Sequence, residues 1–250
     1  MSHFRGCKNN IFNVILQNQN KKTHVMSIEE NIKNIKSSIP SNVTLIAVSK
    51  TKPEEDLIAA YNCGQRAFGE NKAQEMKRKH ENLPEDIQWH FIGHLQENKI
   101  KYIISYVTLI HSVDSLKLLK EINKYALKNN RKVDCLFEID ISKEESKFGL
   151  TYKEVCGILD SEDYKQLDNI RICGVMGIGS ITDDREQTRK EFKELRDIFI
   201  DLKNKYFANE EHFKEISMGM THDYEMAIEE GATIIRIGSK IFGARDYSKQ

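Results

Sequence analysis

The chain has 250 residues, of which 39% are hydrophobic and 30% are charged, with 38 basic residues against 38 acidic ones. This balance excludes a mainly disordered chain and argues against a protein dedicated to nucleic acid or to an anionic membrane surface. No apolar run approaches the roughly 18 residues that a membrane span needs.

Residues 1–26 differ in composition from the rest of the chain. They contain no Asp or Glu and a single Arg, and Asn13 interrupts their apolar run. The run is too short for a secretory signal, and one arginine makes an organelle-targeting segment a poor match. We expect an N-terminal extension over residues 1–26, either a disordered tail or the product of an upstream start with Met26 as the true initiator. One folded domain is expected over residues 27–250.

The cysteines and histidines indicate neither a disulfide framework nor a metal site. The five cysteines are odd in number and include no C-x-x-C pair, which favours reduced thiols in a cytoplasmic protein. His90 and His94 are four residues apart, but they fall on a strand and a loop, and H-E-x-x-H is missing. We therefore expect no bound metal.

From residue 27 onward, apolar strands alternate with helices. Ser27 and Glu30 form a capping-box pattern before an amphipathic helix that ends near Pro40. Strands are predicted at 43–48, 66–68, 88–92, 108–113, 133–140, 170–176, 215–218 and 233–237. Helices are predicted at 54–62, 71–81, 96–104, 115–129, 151–160, 185–206 and 221–230, with a short one after Ser239.

This alternation predicts an α/β fold with a parallel sheet. Strands such as 43–48 are almost continuously apolar, as expected for strands buried on both faces, and parallel neighbours need crossover connections. Eight strand–helix units in about 225 residues fit a (β/α)8 TIM barrel with an extra N-terminal helix. An open, doubly wound sheet is the alternative, but no G-x-G-x-x-G follows the first strand.

Lys50 is the most informative residue at the carboxyl ends of the predicted strands, where barrel enzymes carry their chemistry. It follows an apolar strand, so its stem should enter the barrel mouth. Partial desolvation there favours a neutral amine that can attack a carbonyl. The alternative is an ordinary surface lysine, as Lys52 two positions later could be.

The loops after strands seven and eight predict an anion site. Gly219 would let the backbone approach a phosphate, and Thr221 would cap the following helix. Gly238 and Ser239 repeat this arrangement, although ordinary capping without a ligand is the alternative and Walker A spacing is absent. Arg236, inside strand eight, needs either a core carboxylate or a ligand as its partner.

An amine, a phosphate site and a barrel mouth together suggest pyridoxal 5′-phosphate (PLP). The segments that carry a resemblance to the pyridoxal phosphate homeostasis protein family are AVSKTKP (47–53), FGENKAQE (68–75), WHFIGHLQENK (89–99), SKFGL (146–150) and SMGMTHDYEMAIEEGATIIRIGSKIFGAR (217–245). The family looks like the amino-terminal barrel domain of alanine racemase standing alone. The resemblance covers residues 27–247.

The resemblance implies a role for eight residues. Lys50 would hold PLP as a reversible Schiff base, and Arg236 would face the pyridine nitrogen. The residues implied to line the pocket are Asn71 and Met176, and those implied to hold the phosphate are Ser217, Gly219, Gly238 and Ser239. His94 and the loop at 176–180 depart from the usual family pattern, which leaves contacts near the mouth open.

The resemblance further implies a PLP-binding protein of intracellular PLP homeostasis that passes the cofactor to apo-enzymes and is a monomer. A permanently protonated arginine opposite the ring nitrogen would disfavour a pyridinium and weaken the electron sink that carbanion chemistry needs. A PLP-dependent racemase with weak amino-acid activity and a cofactor-free Schiff-base aldolase are the alternatives. No nucleic-acid or membrane partner is expected.

Overall fold

The structure is a computed structural model that describes residues 27–142 and 148–244. The extension predicted over residues 1–26 lies outside this part of the chain, and so do residues 143–147 and the last six residues. The strands are β1 (Thr44–Val48), β2 (Ala67–Glu70), β3 (Gln88–Phe91), β4 (Leu109–Val113), β5 (Val133–Ile139), β6 (Ile170–Gly177), β7 (Glu215–Ser217) and β8 (Ile234–Ile237).

The eight strands form a closed parallel barrel in sequence order. Each strand pairs with the next, and β8 closes onto β1 through pairs such as Ala47 with Ile237. This confirms the predicted (β/α)8 barrel and excludes the open sheet. Because all carboxyl ends of the strands meet at one end of the barrel, the polar residues that follow them share one mouth.

The helices follow the prediction with three differences. They are α1 (Ile28–Ser38), α2 (Glu54–Asn62), α3 (Ala73–Asn82), α4 (Leu116–Lys128), α5 (Tyr152–Asp160), α6 (Glu162–Lys165), α7 (Arg185–Tyr206), α8 (Tyr224–Glu229) and α9 (Ser239–Phe242). A 3₁₀ helix, Glu97–Tyr102, replaces the predicted helix at 96–104, and its buried Ile100 is three residues from the buried Ile103 that follows it, the spacing of one 3₁₀ turn. The prediction missed α6 and started α8 too early. No described helix has the length and apolar character of a bilayer-crossing segment.

The extra helix α1 packs beside the seam where β8 meets β1. Its predicted capping box is present, with the Glu30 N–H donating to Ser27 Oγ at 3.2 Å and the Ser27 N–H donating to Glu30 Oε2 at 2.9 Å. Ile32 and Ile35 are buried, and Asn31 Nδ2 donates to the Ile241 carbonyl at 2.9 Å. Helix α1 thus joins the first and last helical units of the barrel.

The apolar core has two parts. The larger part lies between the barrel and its helices and includes the buried aromatic residues Trp89 and Phe91. The smaller part fills the barrel interior. Its members are Ile46, Ala67, Leu109, Leu136, Cys173, Met176 and Ile234.

A bulge in β6 changes which of its side chains face the barrel interior. Cys135 pairs with Ile172 and Leu136 pairs with Gly174, so Cys173 is an extra residue in the ladder. Strict alternation would place Cys173 and Met176, three residues apart, on opposite faces. The bulge resets the alternation and both side chains enter the interior cluster.

Gly174 makes this bulge possible, and its replacement is the first prediction. Its φ is +151°, and an added Cβ would lie 1.8 Å from the Glu215 carbonyl oxygen on β7. We expect Gly174→Ala to lower the free energy of unfolding by about 2–4 kcal/mol, from combined backbone strain and overpacking.

The matched control is Gly157→Ala in α5, where an added Cβ would meet nothing within 4 Å. It should raise the free energy of unfolding by about 0.5–1 kcal/mol, because alanine favours the helix. Urea unfolding of both variants measures the difference, and equal midpoints would contradict the role of the bulge.

Candidate functional site

The barrel mouth contains a cavity of about 280 Å³. Its lining includes Asn71, Ile92, His94, Glu138, Phe148 and Ile178, which follow or end strands β2, β3, β5 and β6. This volume lies near the lower limit for small-molecule pockets. Asn71 Oδ1 is buried and has no hydrogen-bond partner among the described residues. A buried acceptor without a partner at the edge of a cavity can bind a donor from a ligand.

Lys50 lies in the turn that follows β1 and is half-buried. The turn has unusual backbone geometry, because Thr51 adopts a φ of +66° without being glycine. Hydrogen bonds hold both flanking residues: the Ser49 hydroxyl donates to Glu70 Oε1 at 2.7 Å, and the Thr51 N–H donates to Glu75 Oε1 at 2.7 Å. The backbone that carries Lys50 is therefore fixed on both sides.

A buried ion cluster supports this turn from α3. The Lys79 ammonium, which is fully buried, donates to Glu70 Oε1 at 2.7 Å, to Glu75 Oε1 at 2.8 Å and to the Ser49 carbonyl at 2.8 Å. Its three donors are thereby used. Burial raises the pKa of Glu70 to about 6, although the positive charge of Lys79 opposes the change. The sequence pattern gives no sign of this cluster, since Lys79 lies in a run of charged residues at 77–81 that is typical of a solvated helix face.

Lys52 has a different role from Lys50. Its ammonium donates to the carbonyls of Phe242 at 2.9 Å, Gly243 at 3.2 Å and Ala244 at 3.0 Å. These carbonyls lie at the carboxyl end of α9, where helical acceptors lack partners within the helix. Lys52 thus links the start of the barrel to its end.

Arg236 points into the barrel and is 5% exposed. Its Nη1 donates to Ser217 Oγ at 2.6 Å and its Nη2 donates to the Gly177 carbonyl at 2.9 Å. The sequence left a core carboxylate or a ligand as the partner of Arg236. No described carboxylate forms an ion pair with it. Burial lowers the pKa of Arg236 to about 10, while the charges of Glu138 and Asp223 oppose the change, so the guanidinium stays protonated at neutral pH.

The loops after β7 and β8 lie side by side. The Arg236 N–H donates to the Gly219 carbonyl at 3.0 Å, and the Ser239 hydroxyl donates to Thr221 Oγ1 at 3.3 Å. Gly238 is the N-cap residue of α9, and Ser239, the predicted cap, is instead the first residue of the helix. The prediction that Thr221 caps the next helix is wrong, because α8 begins at Tyr224 after the N-cap residue Asp223, whose side chain bonds the Met220 N–H instead.

The structure gives Gly219 and Ser217 structural tasks of their own. Gly219 has a φ of +88°, and an added Cβ would lie 2.5 Å from Ala227 Cβ on α8, so close packing alone requires glycine. The Ser217 hydroxyl is fully buried between Arg236 and His111. Met176 is buried in the interior cluster. It precedes Gly177, whose carbonyl accepts a hydrogen bond from Arg236. The phosphate and ring contacts assigned to these residues stay predictions.

His94 and the loop at 176–180 have defined contacts. His94 Nδ1 lies 3.1 Å from Asp114 Oδ2, and its ring stacks on Phe148 with centroids 3.9 Å apart. After β6, the Ser180 N–H donates to Glu191 Oε2 at 2.7 Å and its hydroxyl to Glu191 Oε1 at 2.6 Å. Helix α7 thus holds the loop, and His94 with Phe148 forms one wall of the mouth cavity.

Sequence reasoning missed Glu138 and gave no role to His111. Both are buried polar residues inside apolar strands, at positions that face the barrel interior. Burial raises the pKa of Glu138 to about 7, the charge of Asp114 adds to this effect, and Arg236 opposes it. Both could have been found by the argument that identified Arg236, namely that a polar residue inside an apolar strand needs a partner.

Comparisons with known proteins give a consistent result. A family model described as the alanine racemase N-terminal domain matches residues 24–246. A pyridoxal phosphate homeostasis protein of Aquifex aeolicus is 43% identical over 204 residues, which cover 81% of this chain and 87% of that protein.

Solved structures extend this comparison. PipY of Synechococcus elongatus PCC7942 is 33% identical to this chain and has been solved without PLP and with PLP bound. The TM-scores of these two structures are 0.81 and 0.78, and each match covers 87% of this chain and 100% of the PipY chain. An alanine racemase of Clostridium difficile 630 is 15% identical with a TM-score of 0.69, which shows the shared fold; the match covers 89% of this chain and 57% of the racemase.

The buried cluster behind Lys50 leads to a prediction about stability. Lys79→Met leaves Glu70 buried without its cation, so the free energy of unfolding should fall by about 3–5 kcal/mol. Lys77→Met is the matched control, because Lys77 lies on the same helix but is exposed, with its nearest carboxylate, Glu81, at 3.4 Å. It should unfold like the unmodified protein. Similar losses in both variants would contradict the supporting role of Lys79.

A further prediction concerns pH. The pKa of Glu138 is higher in the folded protein, about 7, than its ordinary value of 4.5. The stability gained from protonated Glu138 is complete below pH 4.5 and is lost as the pH rises through 7. Glu138→Gln should therefore gain stability relative to the unmodified protein between these pH values, by up to about 3 kcal/mol. Unfolding midpoints from pH 4.5 to 8 test this, with exposed Glu85→Gln as the control; parallel pH curves for Glu138→Gln and the unmodified protein would contradict it.

Proposed function

The chain belongs to the pyridoxal phosphate homeostasis protein family, and on this premise we propose that it binds PLP at the barrel mouth and serves the homeostasis of this cofactor. The observation that carries the proposal is the proximity of three predicted elements. Lys50 follows β1, and β1 pairs with β8, which carries Arg236 and leads into Gly238 and Ser239. An amine, a fixed cation and the two candidate phosphate loops thus share one side of the mouth.

The described residues fit the chemistry of PLP. When bound, PLP supplies an aldehyde that condenses with a primary amine with loss of water, and a ring that withdraws electrons. Lys50 supplies the amine on a rigid turn. Asn71 Oδ1 has no donor among the described residues, and Asn71 lines the mouth cavity of about 280 Å³. The two loops after β7 and β8 supply backbone close to α8 and α9 for the phosphate.

Arg236 favours cofactor binding over catalysis. Its guanidinium keeps its charge, and its bonds to Ser217 and Gly177 fix its direction. A fixed cation opposite the ring nitrogen disfavours a proton there, because two like charges in the barrel interior repel. The ring would then stabilise a carbanion poorly. We infer that racemisation of amino acids by this protein is at most slow.

We also infer that the protein acts in the cytoplasm as a monomer and passes PLP to apo-enzymes. Exposed apolar side chains surround the mouth: Phe148 after β5 is 55% exposed, Ile181 after β6 is 93% exposed and Met220 after β7 is 38% exposed. We take these groups, which follow three neighbouring strands, as the part of the mouth that a receiving enzyme would contact.

Labelling of Lys50 tests the proposal. Protein incubated with PLP is reduced with borohydride, digested and analysed by mass spectrometry. The label should lie on the peptide that contains Lys50, and Lys50→Ala should lose both the label and the yellow colour while it keeps the fold. Lys52→Ala is the matched control; it should be labelled normally, although the loss of three hydrogen bonds should lower its thermal midpoint.

Three results would overturn the assignment. A yellow Lys50→Ala variant would place the amine elsewhere, and saturable racemisation of an amino acid by the pure, PLP-loaded protein would favour the weak racemase. Unmodified protein that never takes up the label would exclude PLP binding at this site.

A further inference from the structure

Four buried polar side chains form a chain of hydrogen bonds across the barrel interior. Arg236 on β8 donates to Ser217 Oγ on β7 at 2.6 Å, and Ser217 Oγ lies 2.9 Å from His111 Nδ1 on β4. His111 Nε2 lies 3.0 Å from His90 Nδ1 on β3. None of the four is more than 6% exposed. They cross the barrel beside the apolar interior cluster, so each polar atom depends on the next for a hydrogen-bond partner.

The direction of the chain follows from the donors available. Arg236 can only donate, so Ser217 Oγ accepts on that side. If His111 also donated to Ser217, the Ser217 proton would have no described acceptor in a fully buried position, which is costly. Ser217 therefore donates to His111 Nδ1. His111 then carries its proton on Nε2 and donates to His90 Nδ1, and His90 carries its proton on Nε2 in turn.

Both imidazoles stay neutral, which this direction requires. Burial lowers the pKa of His90 to about 4. Burial also lowers the pKa of His111, and the neighbouring His90 and the Arg236 charge add to the effect. A second proton on His111 would place a donor against the Ser217 donor and a cation near the guanidinium.

The chain ends in a second cavity. His90 lines a space of about 410 Å³ at the amino-terminal end of the barrel, together with Gln88, Thr108 and His212. This cavity is polar and large enough for water, which can accept the Nε2–H of His90. The mouth and the base of the barrel are thereby connected by one continuous series of polar groups.

We propose that His111 and His90 are positioning residues that hold Ser217 and, through it, the Arg236 guanidinium in one orientation at the barrel mouth. His111 accepts the Ser217 proton, which turns a Ser217 lone pair towards Arg236 Nη1. The Gly177 carbonyl holds Nη2 from the other side. The effect on bound PLP rests on the proposed function, whereas the direction of the chain does not.

The first experiment examines the histidines without PLP. In the apoprotein labelled with ¹⁵N-histidine, NMR at pH 7 should show His111 and His90 each protonated on Nε2 and unprotonated on Nδ1. Ser217→Ala removes the donor to His111 Nδ1 and should shift the His111 resonances. Ser112→Ala is the matched control, a buried β4 serine that donates to the Gly93 carbonyl, and it should leave the His111 tautomer unchanged. A proton on His111 Nδ1 in the unmodified protein would overturn the proposal.

The second experiment compares two His111 variants in the presence of PLP. Gln at this position keeps one acceptor and one donor, whereas Leu of similar size keeps neither. We expect His111→Leu to weaken PLP retention by about fivefold to tenfold and to move the absorption maximum of the bound cofactor, and His111→Gln to stay within about twofold. If the leucine variant does not fold, His90→Leu replaces it in the comparison, because it removes the acceptor of the His111 Nε2–H at a residue with no assigned contact to PLP.

The two experiments separate the two hypotheses. Unmodified protein without bound PLP would reject the proposed function, while the NMR tautomers would still decide the direction of the chain. Equal retention and equal absorption maxima in the leucine and glutamine variants, with PLP bound to the unmodified protein, would reject the positioning role alone.

Discussion

The charge of one buried arginine constrains the interior of this barrel more than any other group. A guanidinium that cannot lose its proton must be surrounded by acceptors, and Arg236 finds them in the Ser217 hydroxyl and the Gly177 carbonyl. Gly177 is the last residue of β6, the strand that bulges at Gly174. The bulged strand therefore supplies one of the two acceptors of Arg236. The polar chain crosses the barrel because the buried guanidinium requires a hydrogen-bond acceptor there.

The Lys50 turn is stabilised by charge in a different way. Lys79 uses all its donors on the cluster behind the turn, so hydrogen bonds of neighbouring residues hold the backbone that carries Lys50. Pre-organisation of this kind lowers the entropy lost when a ligand condenses with the side chain. The mouth thus presents an amine on a rigid support next to the strand that carries the cation.

The barrel was predictable because its signals are local and repeated: apolar strands, caps and alternating helices. Lys50 and Arg236 were identified as unusual for the same reason, a charged residue in or directly after an apolar strand. The cluster around Lys79 was not predictable, since it joins residues from three elements in a stretch that reads as a polar surface. The bulge at Gly174 also left no pattern, because one extra residue changes the facing of Met176 without changing the composition of the strand.

The link from Lys52 to the carbonyls of Phe242, Gly243 and Ala244 has a consequence for how the protein is made. Its partners are about 190 residues further along the chain, and β1 also lacks its second neighbour until β8 is available. Contacts so distant in sequence form late. During synthesis on a ribosome, the half-built barrel therefore has an open seam beside Lys50, and the amine reaches its final surroundings only when almost the whole chain has emerged.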